Sequence, residues 1–395
     1  MKVLNFDETQ TAVTLCMKAD VVAFIFGHQG MGKSACIKQL AEHINIQLLD
    51  MRLSQIEGID LRGLMAIDKG VTKYYPPSFL APLLKKEYHK LETNKKKDWE
   101  GILFQDEYML GDTDTRKAAM QLTTDRRIGE FVFSDKVYPV MASNRTQDET
   151  MQGKLSGPEA NRFAIWEMDY DVEQFNKAAV SGFQSDYSHL PVWNDLPEPI
   201  SREDKTPIDG RIRFFCANQD TTTNPVFKNF DRASFKSGSF AHATPRSWHA
   251  VSRILQVCDR DPDIWENLPN FKSIRRALVC GLVGDGVGTS FTGMIDQLDK
   301  LVDIEDVKNR GDKAKLPDQK DPMCVGICWI SVGVLTNERH FNSETADNII
   351  KYINKLGTIC SELPQTAKAM IEGTNCESIQ KAIENSKEYH HLAAA

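Results

Sequence analysis

A glycine-rich loop at residues 27–34 sets the tightest limit on the fold of this chain. The loop reads Gly-His-Gln-Gly-Met-Gly-Lys-Ser and fits the phosphate-loop pattern G-x-x-x-x-G-K-[ST] at every fixed position. An unbroken apolar run at 21–26 precedes it, as in a strand buried on both faces of a parallel sheet. Apolar residues recur at helical spacing after it, from Ile37 to Ile44. This predicted order of strand, loop and helix is the setting the pattern requires, which argues against a chance glycine-rich turn.

The chemistry of this loop suits a nucleoside triphosphate. Glycines let backbone N–H groups face the phosphates, and the N-terminus of the following helix favours anions. Lys33 can reach the β- and γ-phosphates, and the Ser34 hydroxyl can ligate Mg²⁺. The predicted nucleotide-binding residues are Gly27, Gly30, Met31, Gly32, Lys33, Ser34 and Ala35.

Two adjacent carboxylates, Asp106 and Glu107, end an apolar run of strand length that starts at Gly101. In nucleotidases of this architecture the first carboxylate orients the Mg²⁺ shell, and the second polarises a water for in-line attack on the γ-phosphorus. Strands often end in acidic turns, so this pair indicates a catalytic site only in combination with the phosphate loop upstream. We predict Ser34 and Asp106 as metal ligands and Glu107 as the general base.

Three polar side chains further along complete the predicted site. Asn144 ends the apolar run at 137–144, where ligands gather in open α/β sheets, and its amide could orient the attacking water or contact the γ-phosphate. A simple turn asparagine is the alternative reading. Arg162 precedes a predicted strand at 163–168, and we expect it at the edge of the sheet's catalytic end, pointing toward a neighbouring subunit's nucleotide. A surface salt bridge is the alternative for Arg162. Arg246 lies on the first turn of a helix that starts at Thr244-Pro245, from which it could reach the γ-phosphate.

Composition limits the classes of function that remain. The chain has 395 residues, 41% hydrophobic and 26% charged, which is typical of a soluble globular protein of about two or three domains. A net charge of −7 argues against nonspecific binding of nucleic acid as its main activity. No apolar run approaches the roughly 20 residues of a membrane helix, and nine scattered cysteines without a C-x-x-C pair favour reduced thiols. We expect a cytoplasmic protein.

Several element predictions can be tested directly. We expect helices over 78–92, 113–124, 172–190, 273–283, 324–334 and 345–363, and hairpins near 58–76 and 128–138. Pro139 is unusual inside a central strand, so the strand is expected to start there or just beyond. The glycine-rich stretch 284–288 is expected to be a turn between two helices.

This chain resembles AAA+ ATPases. Those proteins share, in this order, a phosphate loop, an Asp-Glu pair at a strand end, an asparagine at a later strand end and two arginines further along. It is most similar to the MoxR branch, which includes RavA, the CbbQ proteins and their phage and bacterial relatives. The local matches are residues 60–64, 76–80, 125–129, 161–163 and 244–248, and the similarity covers about residues 8–300. His28-Gln29 replaces the usual Pro-rich dipeptide of the loop, and Met65 stands where a proline is common. Neither departure affects a phosphate-binding position.

The resemblance implies an α/β AAA+ P-loop core, a parallel sheet flanked by helices, over residues 1–170. A helical lid over 171–301 and a helical extension over 302–395 would follow. It also implies hydrolysis of ATP, with Mg²⁺, at the subunit junctions of a hexameric ring. Arg162 would complete the neighbour's site, and Arg246 would couple the lid angle to the γ-phosphate. The two hairpins would face the axial side of the ring, where Tyr74 and Tyr75 are candidates for contact with a client or partner.

Three kinds of function remain open. The leading prediction is a remodelling motor acting on a protein client, with a partner that carries a von Willebrand factor A (VWA) domain, located in the cytoplasm (a host's, if the gene is from a phage). A nucleic-acid motor of the McrB or helicase type would require a basic pore lining, for example from Lys69, Lys73, Arg126 and Arg127. A nucleotide-gated scaffold with little turnover is disfavoured by the intact Glu107.

Overall fold

A computed structural model describes residues 2–85, 99–128, 131–145, 155–170, 172–182, 190–217, 241–298, 304–314 and 343–357. The chain forms two compact units. The first consists of Met1–Asp204 and Phe227–Thr289, and the second of Lys205–Val226 and Ser290–Ala395. The predicted domain boundaries at residues 170 and 301 stay predictions.

Ten strands and thirteen helices belong to the described part of the chain. The strands are β1 (Val3–Leu4), β2 (Val22–Gly27), β3 (Gln47–Arg52), β4 (Leu64–Asp68), β5 (Val71–Tyr75), β6 (Gly101–Asp106), β7 (Arg127–Ile128), β8 (Phe131–Val132), β9 (Val137–Asn144) and β10 (Phe163–Met168). The helices are α1 (Phe6–Lys18), α2 (Lys33–Ile44), α3 (Gly58–Arg62), α4 (Thr113–Asp125), α5 (Gly157–Ala160), α6 (Val172–Val180), α7 (Gly210–Ala217), α8 (Pro245–Arg260), α9 (Pro262–Glu266), α10 (Phe271–Val283), α11 (Asp285–Leu298), α12 (Ile304–Arg310) and α13 (Ser343–Gly357).

A six-stranded sheet in the order β1-β10-β2-β9-β6-β3 forms the centre of the first unit, and its neighbouring strands are all parallel. Strands β2, β6 and β10 are buried along their whole length, as the continuous apolar runs predict. Helices α1, α2 and α10 contact the sheet, and α4 is joined to β6 by the buried Gln105–Thr123 hydrogen bond at 2.9 Å. The predicted α/β fold, a parallel sheet flanked by helices that fits an AAA+ core, is confirmed.

Strand β9 starts earlier than predicted. It begins at Val137 and includes Pro139, which is paired with Leu103 of β6. Pairing with β2 begins only at Val140, opposite Ala23. The proline is tolerated because it lies before the stretch that pairs with β2, where a missing N–H would cost a ladder bond.

Helix predictions are correct where one apolar face is continuous and fail where turns interrupt it. Helix α4 covers Thr113–Asp125, and α8 starts at Pro245 with Thr244 as its N-cap. The helix expected from residue 78 is wrong in its described part, because only a short 3₁₀ turn, Ala81–Leu83, forms before Leu84 bridges to Phe133. Residues 86–98, 324–334 and 358–363 lie outside the described part. The helix predicted over 172–190 is too long, because it ends at Val180 and residues 181–182 form a turn; residues 183–189 lie outside the described part.

The stretch 284–288 is not a turn between helices over its whole length. Only Gly284 separates α10 from α11, and Asp285 already starts α11. Within the first unit, α10 packs closely on β10, since a Cβ at Gly281 would lie 2.2 Å from the carbonyl oxygen of Ile165. In the second unit, α13 packs on α12, with Asn348 donating to the Lys308 carbonyl at 2.9 Å.

Both predicted hairpins form. Strands β4 and β5 pair antiparallel, and so do β7 and β8. The β4–β5 hairpin exposes apolar side chains, with Ile67 82% and Leu64 73% exposed and Met65 and Val71 above half. Tyr74 is 44% exposed, whereas Tyr75 is half-buried. Among the described residues no helix is both long and apolar enough to cross a membrane.

Candidate phosphate-binding site

The loop between β2 and α2 has the backbone that phosphate binding requires. Gly30 and Gly32 adopt φ of +80° and +77°, a region that side chains with a Cβ disfavour. Gly32 is the N-cap residue of α2, so the first N–H groups of this helix, at Lys33, Ser34 and Ala35, face the loop. The loop and helix together form an anion-binding N-terminus.

Lys33 connects the loop to the end of β9. Lys33 is 7% exposed, and its ammonium donates to the carbonyls of Gly27 and His28 at 2.9 Å each and to Asn144 Oδ1 at 3.0 Å. Asn144 is the register partner of Gly27, so neighbouring parallel strands deliver these residues to one edge of the sheet. The structure therefore brings together Lys33 and Asn144, which the sequence predicts on chemical grounds alone.

Ser34 and Asp106 form the second contact of the site. The Ser34 hydroxyl donates to Asp106 Oδ2 at 2.5 Å, and Asp106, at the end of β6, is 7% exposed. One hydroxyl and one carboxylate suit Mg²⁺, which keeps several waters and binds through one or two carboxylates plus substrate phosphates. No cluster of three or more His, Cys, Asp or Glu able to hold a metal occurs in the described ranges. The donor set therefore fits a metal that arrives with phosphate.

Glu107 is held by a residue that the sequence analysis missed. Its backbone adopts φ of +54°, and its N–H donates to Asp106 Oδ1 at 2.8 Å. Ser54, in the 3₁₀ turn Leu53–Gln55 after β3, donates its hydroxyl to Glu107 Oε2. Ser54 lies near Glu107 because β3 pairs with β6 in register, with Arg52 opposite Asp106. In the sequence, Ser54 is only a polar residue just past a strand. It indicates a contact with Glu107 only once the strand order is known.

The environment of Asp50 at this edge raises its proton affinity. Burial, and then the negative charges of Asp106 and Glu107, raise the pKa of Asp50 on β3, while Arg52 opposes the shift. A concentration of negative charge at the carboxyl ends of β3 and β6 favours a cation there.

Arg162 does not lie at the sheet's catalytic end, and that expectation is wrong. It precedes Phe163, whose register partner is Val22, the first residue of β2. Parallel strands place Arg162 at their amino ends, whereas the phosphate loop leaves their carboxyl ends. Its Nη1 donates to Thr124 Oγ1 near the end of α4 at 3.2 Å. The position does keep Arg162 away from the loop of its own chain.

Arg246 is exposed on the first turn of α8. The N-cap of this helix, Thr244, donates to Asn161 Oδ1 at 2.9 Å. Asn161 precedes β10, so the start of α8 lies near Arg162 and the amino ends of the strands. The structure thus places Arg162 and Arg246 apart from Lys33, Ser34, Asp106, Glu107 and Asn144, which it brings together.

Arg126 is not part of a basic pore lining, because it is buried. Its guanidinium donates to Asp20 at 2.9 Å and to the Thr123 carbonyl at 2.7 Å. Burial lowers the pKa of Arg126 to about 10, and the charge of Asp20 opposes that shift. Arg202 and Arg253 also pair with Asp20, each at 3.5 Å.

Comparisons with solved structures give distant likenesses. No protein-family model and no curated protein matches the sequence. A crystal structure described as a "putative ATPase" from Cytophaga hutchinsonii is similar at 12% identity over 68% of this chain and 79% of that chain, with a TM-score of 0.43. NtrX from Brucella abortus is similar at 12% identity over 91% of this chain and 66% of that chain, with a TM-score of 0.26.

Proposed function

We propose that this chain binds ATP with Mg²⁺ and hydrolyses it at the γ-phosphate. One observation supports this most strongly: Lys33, Ser34, Asp106, Glu107 and Asn144 converge where β2, β6 and β9 end, around a helix N-terminus. Phosphoryl transfer needs positioning and charge stabilisation more than covalent chemistry, and these residues supply both.

Each residue has a role in the proposed reaction. The N–H groups of the loop and the Lys33 ammonium bind the phosphates, with Lys33 exchanging its carbonyl partners for phosphate oxygens. Ser34 and Asp106 would hold Mg²⁺, which would supply charge neutralisation for the phosphates. Glu107 accepts a proton from the attacking water, and the Asn144 amide orients that water or a γ-oxygen.

A nucleotide-binding and turnover assay tests this proposal. With Mg²⁺, the wild-type chain should release phosphate from ATP, and Lys33→Ala should lose both binding and turnover. Asp68→Asn, which removes an exposed carboxylate on the β4–β5 hairpin, serves as the matched control and should leave both unchanged. A Lys33→Ala protein that binds ATP as tightly as the wild type would reject the site.

We further propose that the chain works as a MoxR-type AAA+ remodelling motor in a hexameric ring, in the cytoplasm, with a VWA-domain partner. Support comes from the sequence resemblance and from the position of Arg162, away from its own phosphate loop. In such a ring Arg162 would act on the neighbour's nucleotide, and Arg246 would sense it from the lid.

The exposed β4–β5 hairpin favours a protein client over nucleic acid. Ile67 and Leu64 are among the most exposed large apolar side chains of the described chain, and apolar patches favour protein contacts. The burial of Arg126 removes one cation from the basic lining that a nucleic-acid motor would need. A several-fold stimulation of ATP turnover by DNA at physiological salt would instead support the nucleic-acid motor.

A further inference from the structure

The catalytic groups define the direction in which a bound nucleotide must lie. Asn144 and Asp106 end β9 and β6, which both lie on one side of β2 in the sheet, and Glu107 follows on the same side. The γ-phosphate must lie within reach of Glu107. The phosphate chain therefore runs back across the loop, and the nucleoside lies on the opposite side of β2, beside β10 and α1.

Two aromatic side chains border the loop on that opposite side. Phe6 starts α1, and a Cβ at Gly32 would lie only 3.8 Å from Phe6 Cε2. Tyr170 follows β10. The end of β10 lies against the loop, because a Cβ at Gly27 would lie 2.6 Å from the carbonyl oxygen of Met168. The rings of Phe6 and Tyr170 contact each other, with centroids 5.9 Å apart and planes tilted by 38°. Both rings are partly exposed.

Local structure holds Phe6 in place against the loop. Asn5 caps α1 in a reciprocal capping box with Glu8, which determines where the helix begins. The Cys36 thiol, on α2, contacts the Phe6 carbonyl at 3.7 Å, and Gln10 donates to the Cys36 carbonyl at 3.1 Å. These bonds tie the start of α1 to the helix that follows the phosphate loop.

Tyr170 is held from the other direction. Its N–H donates to Asp169 Oδ1 at 2.9 Å, and Asp169 lies 3.6 Å from the Arg145 guanidinium, which also pairs with Glu167. Arg145 follows β9, so this ion pair links β9 to β10 across the end of β2. Burial raises the pKa of Tyr170 to about 12, so its phenol stays neutral and keeps its O–H donor.

We propose that Phe6 and Tyr170 form the base-binding surface of the nucleotide site and that the surface prefers a purine. Aromatic rings stack on any base, and a purine offers the larger π-face. The inference rests on the proposed function, because it assumes that phosphates occupy the loop.

Two ligands that differ by the nucleoside test the inference. We would measure the dissociation constants of ATP and of inorganic tripolyphosphate, each with Mg²⁺, for the wild type and for Phe6→Ala and Tyr170→Ala. Stacking on one aromatic ring contributes enough that ATP binding should weaken roughly tenfold in each variant. Tripolyphosphate binding should change by less than about twofold, since it relies on the loop alone. Phe175→Ala, which removes an exposed ring on α6, should change neither.

Two results would overturn the base-binding surface while leaving the proposed function intact. Equal weakening of ATP and tripolyphosphate would mean that the rings only support the loop. Unchanged ATP binding in both variants would mean that the base lies elsewhere. A wild-type chain that binds neither ligand would contradict the proposed function itself, and the base-binding surface with it. The preference of ATP over CTP should also fall in Phe6→Ala, which a supporting role would not produce.

Discussion

The Ser34 hydroxyl lies 2.5 Å from Asp106 Oδ2, joining the first turn of α2 to the end of β6. This pair is the part of the site where Mg²⁺ is expected, because both groups present oxygen at the point where the phosphates would end. The hydroxyl donates to this buried carboxylate.

Asp106→Asn should weaken Mg²⁺ binding during ATP turnover more than any other single carboxylate substitution at this edge of the sheet. Loss of the charge should raise the half-saturating Mg²⁺ concentration for ATP turnover roughly tenfold or more. A titration of turnover against Mg²⁺ measures this. Asp50→Asn is the matched control, since Asp50 belongs to the same cluster without contacting Ser34, and its shift should be much smaller. Equal shifts for the two variants would contradict the assignment of Asp106.

Ser54→Ala should raise the basal rate of ATP hydrolysis. The Ser54 hydroxyl donates to Glu107 Oε2, and this hydrogen bond occupies a carboxylate oxygen that the attacking water would otherwise use. Removing it should increase kcat roughly three- to tenfold with little change in KM. Ser54→Thr keeps the donor and should behave as the wild type. Steady-state kinetics that show a lower or unchanged kcat in Ser54→Ala would contradict this role.

Asp20→Asn should destabilise the first unit strongly. Asp20 has φ of +50°, which asparagine tolerates, so the change removes the charge and leaves the backbone conformation. It would leave the buried Arg126 without its carboxylate, and breaking such a pair costs about 3 kcal/mol. Denaturant unfolding measures the loss. Asp68→Asn, which breaks the exposed pair with Lys73, should cost less than about 1 kcal/mol. Similar losses in the two variants would contradict the importance of the Asp20 cluster.

The sequence alone predicts the site residues that lie at the ends of strands. The phosphate loop, Asp106, Glu107 and Asn144 each end an apolar run, and parallel strands bring such ends to one edge. Their convergence therefore requires only the knowledge that the strands are parallel and adjacent.

Contacts between distant segments could not be predicted in the same way. Ser54 reaches Glu107 because β3 is the neighbour of β6, and strand order is set by tertiary packing. Arg126 and Arg127 look alike in sequence, yet one is buried against Asp20 and the other is exposed. The sequence predicts the wrong end of the sheet for Arg162, because β10 runs parallel to β2 and Arg162 precedes β10, whereas the phosphate loop follows β2. Strand β9 starts before Pro139 because the proline pairs only with β6 and lies before the stretch that pairs with β2, so no ladder bond to β2 is lost.

Mixing two inactive variants tests the proposed site at subunit junctions. Arg162→Ala and Lys33→Ala should each be inactive alone, since one lacks the arginine offered to its neighbour and the other lacks the phosphate-binding lysine. In a random equal mixture, about half of the subunits keep Lys33 and about half keep Arg162. About a quarter of the junctions therefore pair an intact Lys33 with an intact neighbouring Arg162 and regain turnover. Arg127→Ala, an exposed neighbouring arginine, is the control and should keep full activity. A mixture no more active than its components would contradict hydrolysis between subunits.

The most direct measurement compares ATP binding and single-turnover hydrolysis in Glu107→Gln with the wild type. Glutamine keeps the shape of the side chain and cannot accept the proton from water. ATP affinity should stay within about threefold, while hydrolysis should fall by roughly 10²- to 10⁴-fold, so that the variant retains ATP. A Glu107→Gln protein that hydrolyses ATP at the wild-type rate would contradict the proposed catalytic site.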